Sequence, residues 1–284
     1  MRSMNNRVQL VCATCLFIGP GVIAQAQETI PPPPKVMNIY REYLKPGKAG
    51  ASHEKSESAF VQAAVRAKWP VHYLAVNSVS GRPRTLFLYA YDSFESIEKD
   101  VKAEESNPAY SAALDRALVA DGDLLSDSDN AMVVYSDEYS LRSAVDLPHM
   151  RYFEIALYRV RPGRDGEWDA LVKTVKAAYE KIPEVSWAMY HVQYGLEGNT
   201  YLVFIPLKSA SEVDKSFMVD KQFGENLGEA GLKKVNELSA AAIETSQRNI
   251  FSFSPKMSYV PDSWIKADPE FWKPKAAQKP TAVQ

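Results

Sequence analysis

Cysteine is scarce in this 284-residue chain, and both cysteines, Cys12 and Cys15, fall within its first 26 residues. Two residues separate them, a spacing that redox and metal sites use in other contexts. Here the pair lies in a segment with the features of a secretory signal, so we expect it to be removed with that segment. The mature chain would then have no thiol, which excludes disulfides, thiolate nucleophiles and cysteine-ligated metals.

The N-terminal segment carries three marks of a secretory signal. Arg2 and Arg7 supply positive charge, Val8–Ile23 is mostly apolar, and Ala24–Ala26 is an A-x-A cleavage site. The alternative is an uncleaved membrane anchor. The apolar run is short for a bilayer span and is broken by glycine and proline, which disfavours an anchor. We therefore expect a secreted or periplasmic protein whose mature chain begins near Gln27.

Long apolar runs and an excess of positive charge are also lacking. No later stretch approaches 18 consecutive apolar residues, so stable membrane insertion is not expected. Without the signal segment, 31 basic residues remain against 35 acidic ones, a net charge of −4. A mildly acidic surface without a basic stripe argues against nucleic acid as a partner.

Several catalytic and cofactor motifs are missing as well. The chain contains no H-E-x-x-H, no G-x-S-x-G, no Walker phosphate loop and no G-x-G-x-x-G. Their absence disfavours zinc peptidases, hydrolases with a nucleophile elbow, and nucleotide-binding folds. We predict no cofactor and assign no metal ligands.

What the chain does contain is an internal repeat. Leu44–Lys48 reappears as Val160–Arg164 after 116 residues, and Thr85–Leu88 returns as Tyr201–Phe204 at the same spacing. A constant offset held over more than 50 residues indicates two copies of one structural unit.

Each copy has the pattern β-α-β-β-α-β, which is the ferredoxin-like arrangement. Its strands are apolar on both faces: Phe153 and Ile155 alternate with Ala156 and Tyr158. In a sheet with one face exposed to solvent, apolar residues would alternate with polar ones. These strands lack that alternation, so we expect both faces of the sheet to be covered. We predict an α+β fold of tandem ferredoxin-like β-α-β-β-α-β repeats, with two antiparallel four-stranded sheets facing each other and helices outside. The predicted division is signal peptide 1–26, proline-rich linker 27–35, first repeat 36–145, second repeat 146–259 and C-terminal tail 260–284.

The pattern also predicts individual elements. The linker is a stiff extended leader that packs little, 121–129 is an acidic loop, the first half of the tail docks, and the chain from Lys273 onward is disordered. The predicted strands are Val36–Leu44, Val71–Val79, Arg84–Tyr91, Ala131–Tyr135, Arg151–Val160, Val185–Tyr194, Thr200–Leu207 and Ile250–Phe253. The predicted helices are Ala49–Lys68, one capped by Ser93, one from Pro108 to Ala120, Gly166–Ile182, and Ser211–Arg248 with a break within 224–231.

These units, with their strand-Pro-Gly-helix openings at Lys45–Gly47 and Arg161–Gly163, resemble the dimeric α+β barrel superfamily. That superfamily includes NIPSNAP-type proteins, antibiotic-biosynthesis monooxygenases and chlorite-dismutase-like haem proteins. The resemblance implies that one chain forms the barrel that smaller relatives form by dimerising. It implies the fold more than a function, because these members share topology without a common catalytic motif.

The candidate catalytic residues are His191, Glu154 and Tyr158. The pattern puts His191 on the Trp187–Met189 face of the second strand of the second repeat, and the other two on the neighbouring first strand. Read functionally, His191 is a pocket base with Glu154 or Tyr158 beside it. The alternative is a hydrogen-bonded histidine within a crowded sheet. Another histidine, His53, near a helix start, is expected to be solvated.

The candidate ligand-binding residues are aromatic. They are His72, Tyr40, Trp187 and Tyr190, all at or near predicted strands. An aromatic-lined cleft can hold a flat apolar ligand, whereas aromatic residues also favour strands for structural reasons alone.

Four charges on the otherwise apolar first strands raise a related question. They must pair with each other, reach the rim or line a polar cavity, because an unpaired buried charge is costly. They are Arg41, Glu42, Glu154 and Arg159.

The function predicted from sequence is the binding of a small, partly apolar molecule in the barrel. One alternative is a cofactor-independent monooxygenase or isomerase that uses His191. Another is a structural or interaction module without a pocket. A haem reading is disfavoured because no histidine is expected on the inner side of a long helix. The protein would be a monomer acting as a pseudo-dimer, or a homo-oligomer.

The signal prediction is tested by the intact mass of the protein recovered after expression with its native N-terminus. We expect a chain that starts at Gln27, because cleavage follows the A-x-A site. A mass that retains residues 1–26 in membrane fractions would instead support the anchor.

Overall fold

The computed structural model of the protein describes residues 30–273. The predicted signal segment 1–26, with both cysteines, and nearly all of the tail predicted to be disordered lie outside the described residues. Among the residues described, no helix combines the length and the apolar character needed to cross a bilayer.

The order strand–helix–strand–strand–helix–strand occurs in residues 36–141 and again in residues 152–253. The first half comprises β1 (Val36–Leu44), α1 (Ala51–Ala67), β2 (Tyr73–Ser78), β3 (Arg84–Tyr91), α2 (Phe94–Glu105), α3 (Pro108–Gly122) and β4 (Leu125–Leu141). The second comprises β5 (Tyr152–Val160), α4 (Asp165–Tyr179), β6 (Trp187–Tyr194), β7 (Asn199–Leu207), α5 (Ser211–Ala242) and β8 (Ile243–Phe253), followed by α6 (Asp262–Ala267) and α7 (Pro269–Trp272).

The eight strands form one closed antiparallel barrel in the order β1-β3-β2-β8-β5-β7-β6-β4. Two seams join the halves: β2 pairs with β8, for example Asn77 with Ser252, and β4 pairs with β6, for example Val134 with His191. The two four-stranded sheets that the sequence predicts are therefore present as β4-β1-β3-β2 and β8-β5-β7-β6, joined edge to edge into one barrel. Closure pairs backbone groups that two open sheets would leave exposed at their edges.

Both faces of the barrel wall are covered, as the apolar strands predict. Inward-facing side chains from both halves, such as Val76, Val133 and Phe251, form the interior. On the outside, α4 packs Trp168 and Leu171 onto the strands of the second half.

The chain between α3 and β5 departs from the prediction. β4 begins at Leu125 and runs for 17 residues, so it includes most of the segment predicted as an acidic loop. The exposed polar residues of this segment have the pattern of a loop. The backbone there nevertheless pairs with β1, as in Asp129 with Arg41. Tertiary pairing overrides local composition at such positions.

Tertiary pairing also makes the last long helix shorter than predicted. The predicted break is present, since Gly228 has φ 62° within α5. The helix ends at Ala242, however, and not at Arg248 as predicted. Residues 243–248 belong to β8, where they pair with residues 156–160 of β5.

The N-terminal and C-terminal segments both contact the barrel. Trp272 of α7 is 2% exposed, and its indole nitrogen donates to the Pro148 carbonyl at 2.9 Å. The Tyr190 hydroxyl donates to the Pro34 carbonyl at 3.2 Å. The first half of the tail is therefore docked, as predicted, whereas the proline-rich leader makes a contact that was not expected of it.

Gly195, in the turn between β6 and β7, provides a test of the β4–β6 seam. Its φ is +90°, and a Cβ there would lie 2.0 Å from the Asn130 carbonyl oxygen of β4. We expect Gly195→Ala to lower the free energy of unfolding by on the order of 3 kcal/mol, through a strained φ and a backbone clash.

Gly163→Ala is the matched control, because Gly163 has φ +75° with open space around it. It should cost only about 1 kcal/mol, from the conformation alone. Equal losses in urea denaturation would contradict the close seam.

Candidate functional site

A cavity with a volume of ≈ 850 Å³ opens at one end of the barrel. We call it the mouth cavity. Its floor is the apolar barrel interior, with Met37, Leu74, Phe153 and Phe204 among its lining residues. This size and character suit a small organic ligand.

Segments outside the barrel strands form the walls of the mouth cavity. Residues 30–34 lie on one side, the turn Leu147–His149 on another, and Val260 and Trp264 on a third. The aspartates and histidines of the lining are at the partly or fully exposed rim, where His149 pairs with Asp146 at 2.7 Å. The arrangement is an apolar chamber with a polar entrance.

Three of the four predicted ligand-binding residues, His72, Trp187 and Tyr190, line the mouth cavity. The fourth, Tyr40, does not. It lies on the outer face of β1, is 45% exposed, and makes an edge contact with the ring of Tyr89.

His72 lies at the rim of the mouth cavity and stacks on Tyr259, with ring centroids 4.6 Å apart. Burial lowers the pKa of its imidazole below the ordinary value. The neutral ring therefore presents a flat surface to the cavity at physiological pH.

The predicted catalytic residue His191 lies on the outer face of the barrel and lines neither cavity. Its Nε2 donates to Asn199 Oδ1 at 2.8 Å, and its Nδ1 accepts from Gln193 Nε2 at 3.0 Å. The ring also stacks on Tyr201, with centroids 4.5 Å apart. Both ring nitrogens are thus engaged, and a role as a base would require this network to open.

The structure does not bring the three predicted catalytic residues together. Tyr158, Tyr201 and His191 occupy one row across β5, β7 and β6, which separates Tyr158 from His191 by about 10 Å at the usual strand spacing. Glu154 pairs across from Ile205, four residues along β7 and so about 13 Å from that row.

The charges on the first strands find separate partners. Glu154 binds Arg248, Arg41 binds Asp129, and Arg159 lies 3.5 Å from Glu197. They therefore do not pair with each other.

A smaller cavity of ≈ 300 Å³ opens at the other end of the barrel. Arg41, Arg82 and Arg84 lie at its edge above an apolar floor. Two of these arginines stack on aromatic rings: Arg82 lies over Tyr43 and Arg84 over Phe251, at 4.1 and 4.9 Å from the ring centroids.

A third constellation was not predicted from the sequence. Glu42 on β1, His53 and Glu57 on α1, and Asp121 near the end of α3 converge between the barrel wall and the helices. We call these four residues the carboxylate–histidine cluster. One potential ligand atom from each lies within 4.8 Å of those from the other three. His53 Nε2 is 2.9 Å from Glu42 Oε2, and 3.7 Å from both Glu57 Oε1 and Asp121 Oδ1.

The cluster is deeply buried. His53, predicted to be solvated, is 2% exposed, so that prediction was wrong. Burial and the neighbouring carboxylates raise the pKa of Glu57 well above its ordinary value, and burial also raises the pKa of Glu42. His53 also lies on the inner side of α1, which faces the barrel wall. The sequence predicted no histidine on the inner side of a long helix. The groups that surround His53 there are carboxylates.

The sequence contained a partial signal for this cluster. His53 and Glu57 are four residues apart, which puts them on one face of a helix. Glu42 was already identified as a charge on an apolar strand. Asp121 lies far away in sequence and was assigned to a loop, so only the fold could add it.

No protein-family model matches the chain, and no curated protein matches it in sequence. Among solved structures, it is similar to an anthrone oxidase-like protein, with 14% identity, a TM-score of 0.52, and coverage of 78% of this chain and 92% of that one. It is also similar to a mutant chlorite dismutase from Candidatus Nitrospira defluvii, with 9% identity, a TM-score of 0.49, and coverage of 82% and 95%.

At these identities the likeness concerns the fold alone. The likeness to the anthrone oxidase-like protein, with its TM-score of 0.52, supports the predicted fold class, an α+β protein built on an eight-stranded antiparallel barrel.

The lowered pKa of His72 predicts a pH dependence of stability. Between the folded-state pKa and about 6.5, the unfolded chain holds the additional proton, so the free energy of unfolding falls as the pH falls through that window. His72→Gln should remove this contribution.

The check is the difference in the free energy of unfolding between the two proteins from about pH 8 to pH 5, together with an NMR titration of the imidazole. A His72 imidazole that titrates at or above 6.5 would contradict the half-buried, neutral ring.

Proposed function

We propose that the protein binds a small, partly apolar molecule in the mouth cavity. The observation that carries this proposal is an ≈ 850 Å³ chamber with an apolar floor and polar groups at its rim. Small-molecule sites commonly combine these features. The structural alternative predicts a filled barrel interior without a pocket. The cavity therefore favours ligand binding over that alternative.

The chemistry of the lining indicates the kind of ligand. His72 and Tyr190 offer aromatic surfaces, and Phe153 and Phe204 offer apolar contact deeper in the barrel. The rim adds Asp92 and the pair formed by Asp146 and His149. A flat, largely apolar molecule with a polar group at one end fits this order.

A monooxygenase activity is the second candidate function. The anthrone oxidase-like protein motivates an assay of oxygen uptake with an anthrone as substrate. If this chain catalysed such a reaction through His191, uptake would depend on the protein and would be lost in His191→Ala. The engaged ring nitrogens of His191 give no independent support to that reading.

We also propose that the two halves derive from a duplication and that the chain belongs to the dimeric α+β barrel superfamily as a fused pair. β5 begins 116 residues after β1 and has the same length, which supports this history. A single chain then closes one barrel, so native mass spectrometry should detect a folded monomer. We further propose export, on the basis of the predicted signal segment.

Ala90→Phe tests the binding proposal, because Ala90 lines the mouth cavity and is exposed at its entrance. The added ring should obstruct the chamber with little effect on the core. With an anilinonaphthalene sulfonate as fluorescent probe, we expect the dissociation constant to rise by at least about tenfold.

Thr245→Phe is the matched control, since Thr245 is an exposed strand residue outside both cavities. It should leave the affinity within about twofold. Absence of probe binding to the wild-type chain, or equal binding by both variants, would contradict a site in the mouth cavity.

A further inference from the structure

The carboxylate–histidine cluster occupies a place that the other half of the barrel fills with aromatic rings. Glu42 pairs across strands with Thr85, and Tyr158, the seventh residue of β5 as Glu42 is of β1, pairs with Tyr201. Trp168 packs on both tyrosines there, with ring centroids 5.6 and 4.8 Å away. The fold can therefore close this space with apolar groups, and packing alone does not require a buried polar cluster.

The hydrogen bonds of His53 orient its Nε2 lone pair toward the carboxylates. The Thr85 hydroxyl donates to Asn77 Oδ1 at 2.7 Å, so it can only accept from His53 Nδ1, 3.3 Å away. Neutral His53 then carries its proton on Nδ1. Metal-ligating histidines are commonly held in this way, with the second ring nitrogen donating to an outer partner.

Several carboxylate oxygens of the cluster have no donor in the described structure. Both oxygens of Asp121 and Oε1 of Glu57 are buried without a hydrogen-bond partner. Asp121 is 2% exposed and Glu57 3%. Buried, unpaired carboxylate oxygens that face each other are costly, and a cation between them would offset that cost.

We propose that Glu42, His53, Glu57 and Asp121 bind one divalent first-row transition metal ion between β1, α1 and α3. Three carboxylates and one imidazole are donors that Mn²⁺, Fe²⁺ and Zn²⁺ accept. Bonds of about 2.0–2.2 Å hold neighbouring ligands about 3 Å apart and opposite ligands about 4.3 Å apart. The observed separations, from 2.9 Å to at most 4.8 Å, need contractions of up to roughly 0.7 Å.

The side chain of Glu42 gives the ion a route to the site. It is 15% exposed, whereas those of the other three ligands are at most 4% exposed. An ion can exchange its water for this carboxylate first and then reach the buried ligands. The ion would join a strand to two helices of the first half, so it should also stabilise the fold.

The competing arrangement contains no metal. An imidazolium at His53 beside ionised Glu42, with a proton shared between Glu57 and Asp121, would also satisfy most of the cluster. The two arrangements differ in stoichiometric metal binding, which makes them separable.

The test uses the full chain, stripped with a chelator and titrated separately with Mn²⁺ and Zn²⁺. Calorimetry and the electron paramagnetic resonance of Mn²⁺ measure stoichiometry and affinity. We expect one ion per chain and a higher melting temperature in its presence. A crystal soaked in Mn²⁺ should show an anomalous peak about 2.2 Å from His53 Nε2.

His53→Gln and Asp121→Asn keep the shape of the side chains and should each weaken binding by at least about a hundredfold. Asp121→Asn also removes a charge from a crowded acidic site, so the metal-free variant should melt no lower than the metal-free wild type. A loss of binding in a variant that remains stable cannot be attributed to misfolding.

Glu154→Gln is the matched control, because Glu154 lies on the first strand of the other half and its side chain is also 15% exposed. It should bind Mn²⁺ within about threefold of the wild type. The proposal is overturned if the wild-type chain binds neither ion at one per chain, or if binding persists in both His53→Gln and Asp121→Asn.

Discussion

The two seams between the halves are the interactions on which the rest of the structure depends. Each half contributes four strands, and neither half alone would pair all of its strand edges. The contacts of β2 with β8 and of β4 with β6 close the wall and enclose a single apolar interior. Closure removes exposed edges and holds the helices on the outside. It also creates two mouths, and the larger becomes a chamber because the leader and the C-terminal helices surround it.

The two halves use the same outer surface in different ways. In the second half the space between strands and helices is filled by Tyr158, Trp168 and Tyr201, which makes it an ordinary apolar layer. In the first half the corresponding space holds Glu42 and His53 with two further carboxylates. A polar group in such a layer needs a partner of opposite charge or a shared proton. The proposed metal ion and the proposed ligand therefore belong to separate regions, one outside the barrel wall and one within its mouth.

Much of the fold could be predicted from local patterns. Val36–Leu44 and Arg84–Tyr91 agree to the residue, because apolar alternation and flanking turns mark them clearly. The strand content of 125–130 and of 243–248 could not be predicted, since those residues look polar and gain strand structure only by pairing with β1 and β5. The carboxylate–histidine cluster was harder to predict from the sequence. His53 and Asp121 meet only because α1 and α3 pack against each other, and the distance between the two residues in sequence conceals that contact.

The most direct test of the closed barrel is amide hydrogen exchange along the β4–β6 seam. If the barrel is closed, the paired seam amides of Val134 and His191 exchange as slowly as those in the centre of the β1–β3 pair, because all of them open only with the whole wall. Exchange of the seam amides at the rate of an exposed edge strand, with β1 and β3 still protected, would contradict closure. Such a result would indicate two open sheets and an interior of a different kind.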